Sequence, residues 1–144
     1  MGKVKVVEAD TIPWQLVSDA VAPEVAARMS RAERDADVRI MHASVGGLQL
    51  FEARIAANEE IKLHAHAADE IIYILEGELQ IGRKRLGPGA SVFVAGHTLY
   101  GFRSGAEGVR FLNFRGQGNT SFITREEFVA LKTTASHEHN ENHQ

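Results

Sequence analysis

Short runs of branched and aromatic residues recur along the chain, with glycines between and beside them. The runs are KVKVV (3–7), VRIMHASV (38–45), LQLFEARI (48–55), EIIYIL (70–75), ELQIG (78–82), SVFVA (91–95) and VRFLNF (109–114). Gly46-Gly47, Gly77, Gly82, Gly87-Pro88-Gly89, Gly96, Gly101, Gly105 and Gly108 stand in turn-like places. Many short strands with regular glycine turns predict an antiparallel sandwich or barrel. Strand–helix alternation of the kind that builds parallel sheets is missing. Side chains alternate along a strand, so Glu70, Ile72 and Ile74 are expected on one face, with Ile71, Tyr73 and Leu75 on the other. The outer set is expected to pack against another layer or a partner sheet. Tyr100 and Phe102 share a face by the same rule.

Two segments break this pattern. Residues 16–35 are alanine-rich and contain Pro23, which permits a helix to start near it but not to run through it unbent. One or two helical turns, or an irregular arm, are expected there, with Ser18 or Asp19 as a cap. Thr124-Arg125-Glu126-Glu127 fits a capping box, and Phe128, Val129 and Leu131 follow as a short apolar face. A helix is therefore predicted over about 125–132. Residues 133–144 carry no large apolar side chain and are expected to be disordered. The organisation predicted is an N-terminal strand and arm over 1–36, a barrel core over 37–115, a C-terminal segment with a short helix over 116–132, and a tail over 133–144.

Composition narrows the chemistry. The chain has 144 residues, 44% of them hydrophobic and 24% charged, with a net charge of -3. This length suits one domain that buries its own core. The lack of cysteine excludes thiol catalysis and disulfides, and leaves nitrogen and oxygen as metal donors. No apolar run approaches the ~20 residues of a membrane span, and the N-terminus lacks the apolar stretch of a signal peptide. Basic residues form no block of the kind that binds nucleic acid. A cytoplasmic protein with neither a membrane nor a nucleic-acid partner is expected.

The seven histidines are unevenly placed. His64 and His66 have strand spacing and leave the same face. Glu70 opens the next apolar run, where an idle buried charge would be costly, and a short connection over 67–69 returns its carboxylate to the same centre. Two imidazoles and one carboxylate suit a divalent ion, Fe(II) foremost, with Mn, Ni, Co or Zn as alternatives. Asp69 is expected to face solvent or cap the turn. His42 is expected to pack locally. His137, His139 and His143 are able to bind metal in vitro, but no scaffold is expected to order them.

The segment from His64 to Gly77 resembles the first motif of the cupins, small β-barrels that often bind one metal. The motif places a glycine six residues before the first histidine, then His-x-His, a glutamate and a closing glycine. Here those positions are Asn58, His64, His66, Glu70 and Gly77. Asn58 preserves the pattern if it adopts a left-handed turn. The second motif resembles residues 89–104 but departs from the family pattern. Its histidine position holds Tyr100 in one alignment and Leu99 in the other. The resemblance covers about residues 37–115. It implies an all-β, cupin-like double-stranded β-helix (jelly-roll) barrel with the short C-terminal helix appended. It also implies a metal on His64, His66 and Glu70, with Tyr100 or His97 as fourth ligand or as acid–base group. Small cupins commonly pair and exchange N-terminal strands, which implies a homodimer. Trp14 would then cover a barrel opening or sit in the dimer contact.

Phe102 is a candidate for the pocket wall. Arg54 and Arg110 are candidates because an inward arginine would select a carboxylate or enolate. Among Arg39, Met41, Phe51 and Asn113, some must line the cavity. The first functional expectation is a metal-dependent, dioxygenase-like oxidoreductase acting on a small enolisable or phenolic substrate. The second is a metal-dependent isomerase or lyase with Tyr100 or His97 moving a proton. The third is a small-molecule sensor or binding protein without catalysis.

Overall fold

The computed structural model describes residues 3–45, 47–116 and 121–141, with the side chains of 44, 45 and 134–141 left aside. Every strand pairing is antiparallel. The elements run β1 (Gln15–Leu16), α1 (Val17–Ala20), α2 (Pro23–Ala26), α3 (Arg31–Arg34), β2 (Asp37–Val45), β3 (Leu48–Ile55) and β4 (Glu60–Ala65). They continue with β5 (Glu70–Ile81), β6 (Lys84–Leu86), β7 (Ser91–Val94), β8 (Tyr100–Gly116), β9 (Ile123–Thr124) and α4 (Arg125–Glu141). The sheet order is β1-β2-β3-β8-β4-β9, and β5 lies against β6, β7 and β8.

Apart from KVKVV, the apolar runs become strands or parts of strands where predicted, with one merger. EIIYIL and ELQIG join into β5 across Gly77, whose φ of +79° suits glycine. Any side chain there would strike the backbone of Gly108. Asn58 has φ +56° and donates its N–H to the Gly105 carbonyl at 3.0 Å, so it takes the left-handed turn that the first motif requires.

Alternation in β5 holds. Glu70, Ile72 and Ile74 are buried, while Ile71 and Tyr73 are exposed on the outer face. The core gathers Ile55, Ile61, Ile74, Leu79, Phe102 and Phe111 among others. Burial of a large aliphatic or aromatic side chain contributes about 1.5–3 kcal/mol, so these positions supply most of the driving force.

Three expectations change. KVKVV forms no strand: Val4 and Val6 are exposed, with no partner strand in this chain among the described residues. The arm over 16–35 forms three single helical turns, not one or two. Pro23 opens α2 at a position where its missing N–H costs nothing, and neither Ser18 nor Asp19 caps α1, whose N-cap is Leu16. The C-terminal helix, expected to stop near 132, runs to Glu141, so part of the supposed disordered tail continues it. The capping box forms, with the Glu127 N–H donating to Thr124 Oγ1 at 3.1 Å. No glycine or proline follows to stop the helix. His137 and His139 lie on its backbone path, and His143 lies outside the described residues.

Candidate active site

His64 and His66 project from the end of β4 into one end of the barrel. A register irregularity between Ile61 and His64 sets where β4 meets β8, and His64 pairs with Tyr100. The two imidazoles meet edge to face at 5.0 Å between centroids, and Phe122 stacks on His64 at 4.9 Å. His64 Nδ1 lies 2.8 Å from the Lys62 carbonyl, and His66 Nδ1 lies 2.5 Å from the Ser121 carbonyl. A carbonyl only accepts, so both protons sit on Nδ1 and both Nε2 lone pairs face away from it.

Glu70 is bound on both oxygens. Tyr100 donates its hydroxyl to Oε1. Arg115 Nε donates to Oε2 at 2.8 Å, and Asn113 Nδ2 donates to the same atom at 3.3 Å. Arg115 Nη2 reaches His66 Nε2 at 3.2 Å, and its cation lies 5.1 Å from the Phe51 ring centre. Glu70 and Arg115 are cross-strand partners between β5 and β8, so the sheet register itself makes the pair.

The protonation states follow. Burial and the Arg115 charge push His66 down to about 4, which leaves its ring neutral at ordinary pH. Burial alone would raise Glu70, but Arg115, His66 and the hydroxyl of Tyr100 outweigh it and hold the carboxyl below its usual range. Burial and the adjacent Glu70 charge lift Tyr100 well above the ordinary phenol value. Tyr100 therefore serves as a fixed donor to Glu70, not as a base.

His64, His66, Tyr100, Asn113 and Arg115 line a cavity of about 480 Å³ whose walls are mostly apolar and include Phe51, Ile72, Phe102 and Phe111. Phe102 thus lines the pocket as expected, and so do Phe51 and Asn113, whereas Arg39 and Met41 do not. Arg54 and Arg110 correct the sequence reading. They fall on the opposite face of β3 and β8, where Arg54 pairs with Asp37 at 2.8 Å and Arg110 pairs with Glu52 at 2.7 Å and Glu76 at 3.1 Å. Strand alternation separates them from the inward residues 49, 51, 53, 111, 113 and 115.

His97 is corrected as well. It sits exposed in a left-handed turn with φ +58°, off the cavity wall, and its backbone N–H donates to the His66 carbonyl at 2.7 Å. Asp69 caps this turn by accepting the Gly96 N–H at 2.7 Å. The guanidinium groups of Arg39 and Arg54 both lie over the Trp14 ring, at 4.4 and 4.1 Å from its centre. His42 is half-buried beside a second hollow near Leu48 and Phe93.

The expected metal set does not fit the donors as they stand. Arg115 spans His66 Nε2 and Glu70 Oε2, two atoms that an ion would have to hold at about 2.0–2.2 Å. Among the described residues, no group of three or more histidine, aspartate or glutamate side chains is arranged for a metal ion.

Arg115, Gln49 and Glu33 are among the cavity residues that sequence reasoning missed. Arg115 was legible in principle, because alternation from Phe111 and Asn113 carries it inward. Gln49 follows from Phe51 in the same way. Glu33, buried on α3 and accepting from Ser30 Oγ at 3.0 Å, had no such signal.

No family model matches the sequence, and no curated protein matches it. Solved structures do resemble the fold. The polyketide cyclase RemF from Streptomyces resistomycificus superposes with a TM-score of 0.67 at 20% identity, over 85% of this chain and 86% of its own. An RmlC-like cupin from Ralstonia eutropha JMP134 superposes with a TM-score of 0.63 at 12% identity, over 96% and 90%. The DMSP lyase DddQ from Ruegeria pomeroyi DSS-3 gives 0.57 at 20% identity, over 81% of this chain and 62% of its own. Enzymes are thus among the proteins of this shape. With its antiparallel β-barrel, its left-handed Asn58 turn and these structural neighbours, the chain has the cupin fold.

Proposed function

We propose that the chain is an enzyme that moves a proton on a small, enolisable organic molecule held in the barrel. This is the isomerase, lyase or cyclase class of chemistry. The observation that carries the reading is His64. Its proton is fixed on Nδ1 by the Lys62 carbonyl, and no described residue hydrogen-bonds its Nε2, which belongs to a buried ring on the cavity wall. A buried lone pair of fixed tautomer is what a general base needs. The base takes a proton from a carbon next to a carbonyl and returns it elsewhere on the substrate, while the Arg115 cation at the same end favours the oxyanion that forms. Tyr100 and Asn113 keep Glu70 in place, and Glu70 keeps Arg115 in place.

The walls describe the substrate. Gln49 Oε1 and Asn113 Oδ1 are buried without partners among the described residues. Reversing the Asn113 amide would turn its oxygen onto Glu70, so the orientation is fixed and the acceptor is left over. A ligand with a hydroxyl or N–H donor beside its carbonyl, and an apolar body, completes both acceptors. That RemF is a polyketide cyclase and DddQ a lyase is consistent with this class. A dioxygenase reading requires a metal with open positions, and the engagement of Glu70 and His66 with Arg115 does not favour it.

The test is deuterium uptake from D2O into a panel of hydroxylated β-dicarbonyl compounds, followed by NMR without oxygen. Enzyme-dependent exchange that falls about 100-fold or more in His64→Ala is expected. Turnover that requires dioxygen, consumed one molecule per product, would establish the oxygenase instead.

A further inference from the structure

We infer that Arg115 is a built-in cation that occupies the place of a metal ion, so that this barrel works without one. Three observations meet at this residue. Its Nε and Nη2 span Glu70 Oε2 and His66 Nε2, the two atoms that would otherwise face a metal. It is the cross-strand partner of Glu70, so it reaches that place from the sheet itself and not from a mobile loop. The remaining Glu70 oxygen is taken by Tyr100, at the position where the resemblance would place a fourth ligand histidine.

Two changes at separate positions thus agree. A tyrosine stands where a metal site would offer a lone pair, and it offers a proton donor. An arginine brings the positive charge that the carboxylate needs. His66 completes the set as a neutral acceptor, with its proton held by Ser121. A guanidinium differs from a metal ion in what it presents to substrate. It offers directed N–H donors in one plane and no exchangeable coordination positions. Arg115 Nη1 has no hydrogen-bond partner among the described residues, which leaves a donor for a substrate oxygen. Arg115 is a positioning residue for Glu70 and His66, and it becomes a catalytic one only where that donor meets substrate.

The experiment is calorimetric titration of the full-length chain with Zn2+ and with Mn2+ under anaerobic conditions. His137, His139 and His143 are replaced by glutamine so that they contribute no binding. The protein with its barrel residues intact is expected to take up neither ion. Arg115→Gln, which removes the cation and keeps a polar side chain, is expected to gain one site per chain, at least 100-fold tighter than anything the parent shows. Adding His64→Ala to that variant should remove the site. Arg115→Met reads the same gain if Arg115→Gln does not fold. In the parent protein, the Arg115 Nε–H resonance should shift in Glu70→Gln and stay put when Zn2+ is added. One ion per chain bound by the parent and lost in His64→Ala overturns the inference. So does a folded Arg115 variant that gains no metal site. The proton-transfer reading stands or falls separately, on deuterium exchange.

Discussion

Glu52 and Glu70 are both 2% exposed, both lie on the sheet that includes β3, β5 and β8, and both are held by arginine. They face opposite ways. Glu52 accepts from Arg39 at 2.8 Å and Arg110 at 2.7 Å; Arg110 goes on to Glu76, and Trp14 covers Arg39. This outer cluster closes on itself. Among the described residues, the inner cluster around Glu70 leaves a lone pair on Asn113, another on His64 and an N–H donor on Arg115 without partners beside the cavity. Buried carboxylates and arginines are therefore no mark of function by themselves. What distinguishes the two clusters is the presence of unpaired groups beside a space that a ligand can fill.

Glu52→Ala is expected to have the largest effect on the outer cluster. It leaves Arg39 without its carboxylate and Arg110 with Glu76 alone, and is expected to cost about 3 kcal/mol in urea unfolding, the low end for a broken buried pair. Turnover per folded molecule should not change. A variant that keeps its stability and loses activity would reverse the roles assigned to the two faces.

Acid comes next. His66 is held at about 4 when folded, below the ~6.5 of an unfolded histidine. The unfolded chain therefore binds the extra proton first as pH falls. Stability is intact above about pH 6.5 and declines toward pH 4, by about 3 kcal/mol in all from this one ring. Glu70, also depressed, extends the loss below the ordinary carboxylate range. Thermal unfolding followed from pH 7 to pH 4 should show this decline, and His66→Asn should flatten it. An unchanged slope in that variant would place the acid sensitivity elsewhere.

Trp14→Ala carries the smallest effect. It removes a half-exposed ring that lies against two guanidinium cations and should cost about 1 kcal/mol in thermal or urea unfolding. The inner site should be untouched. A change in substrate KM without a change in stability would mean that the outer cluster reaches the cavity after all.

Much of the fold was legible because strand period and glycine turns are local. β3 was bounded to the residue, and the inward face of β5 followed from alternation alone. Three site residues, His64, His66 and Glu70, were found by their spacing, and the structure brings them together. Their use was another matter. That Arg115 reaches both His66 and Glu70 depends on the register of β5 against β8, a pairing between residues 45 positions apart that no local pattern encodes. Arg54 and Arg110 were candidates on charge type alone, with no face assigned, and the sheet turns both outward. His97 entered as a ligand or acid–base candidate through the resemblance, and its left-handed turn, capped by Asp69, leaves it exposed. The extent of α4 was missed because a polar sequence with no breaker remains helical once its start is capped.

The cross-strand pairing of Glu70 with Arg115 has a consequence for how the barrel is assembled. A slip of one residue between β5 and β8 would set Glu70 opposite Phe114 or Gly116, with Arg115 no longer its partner. A buried carboxylate without its counterion is among the costliest arrangements a chain can adopt. The pair therefore acts as a proofreading contact. Wrongly threaded sheets cannot satisfy it, so among near-equal apolar pairings of these strands the one that also forms the site is the one that persists.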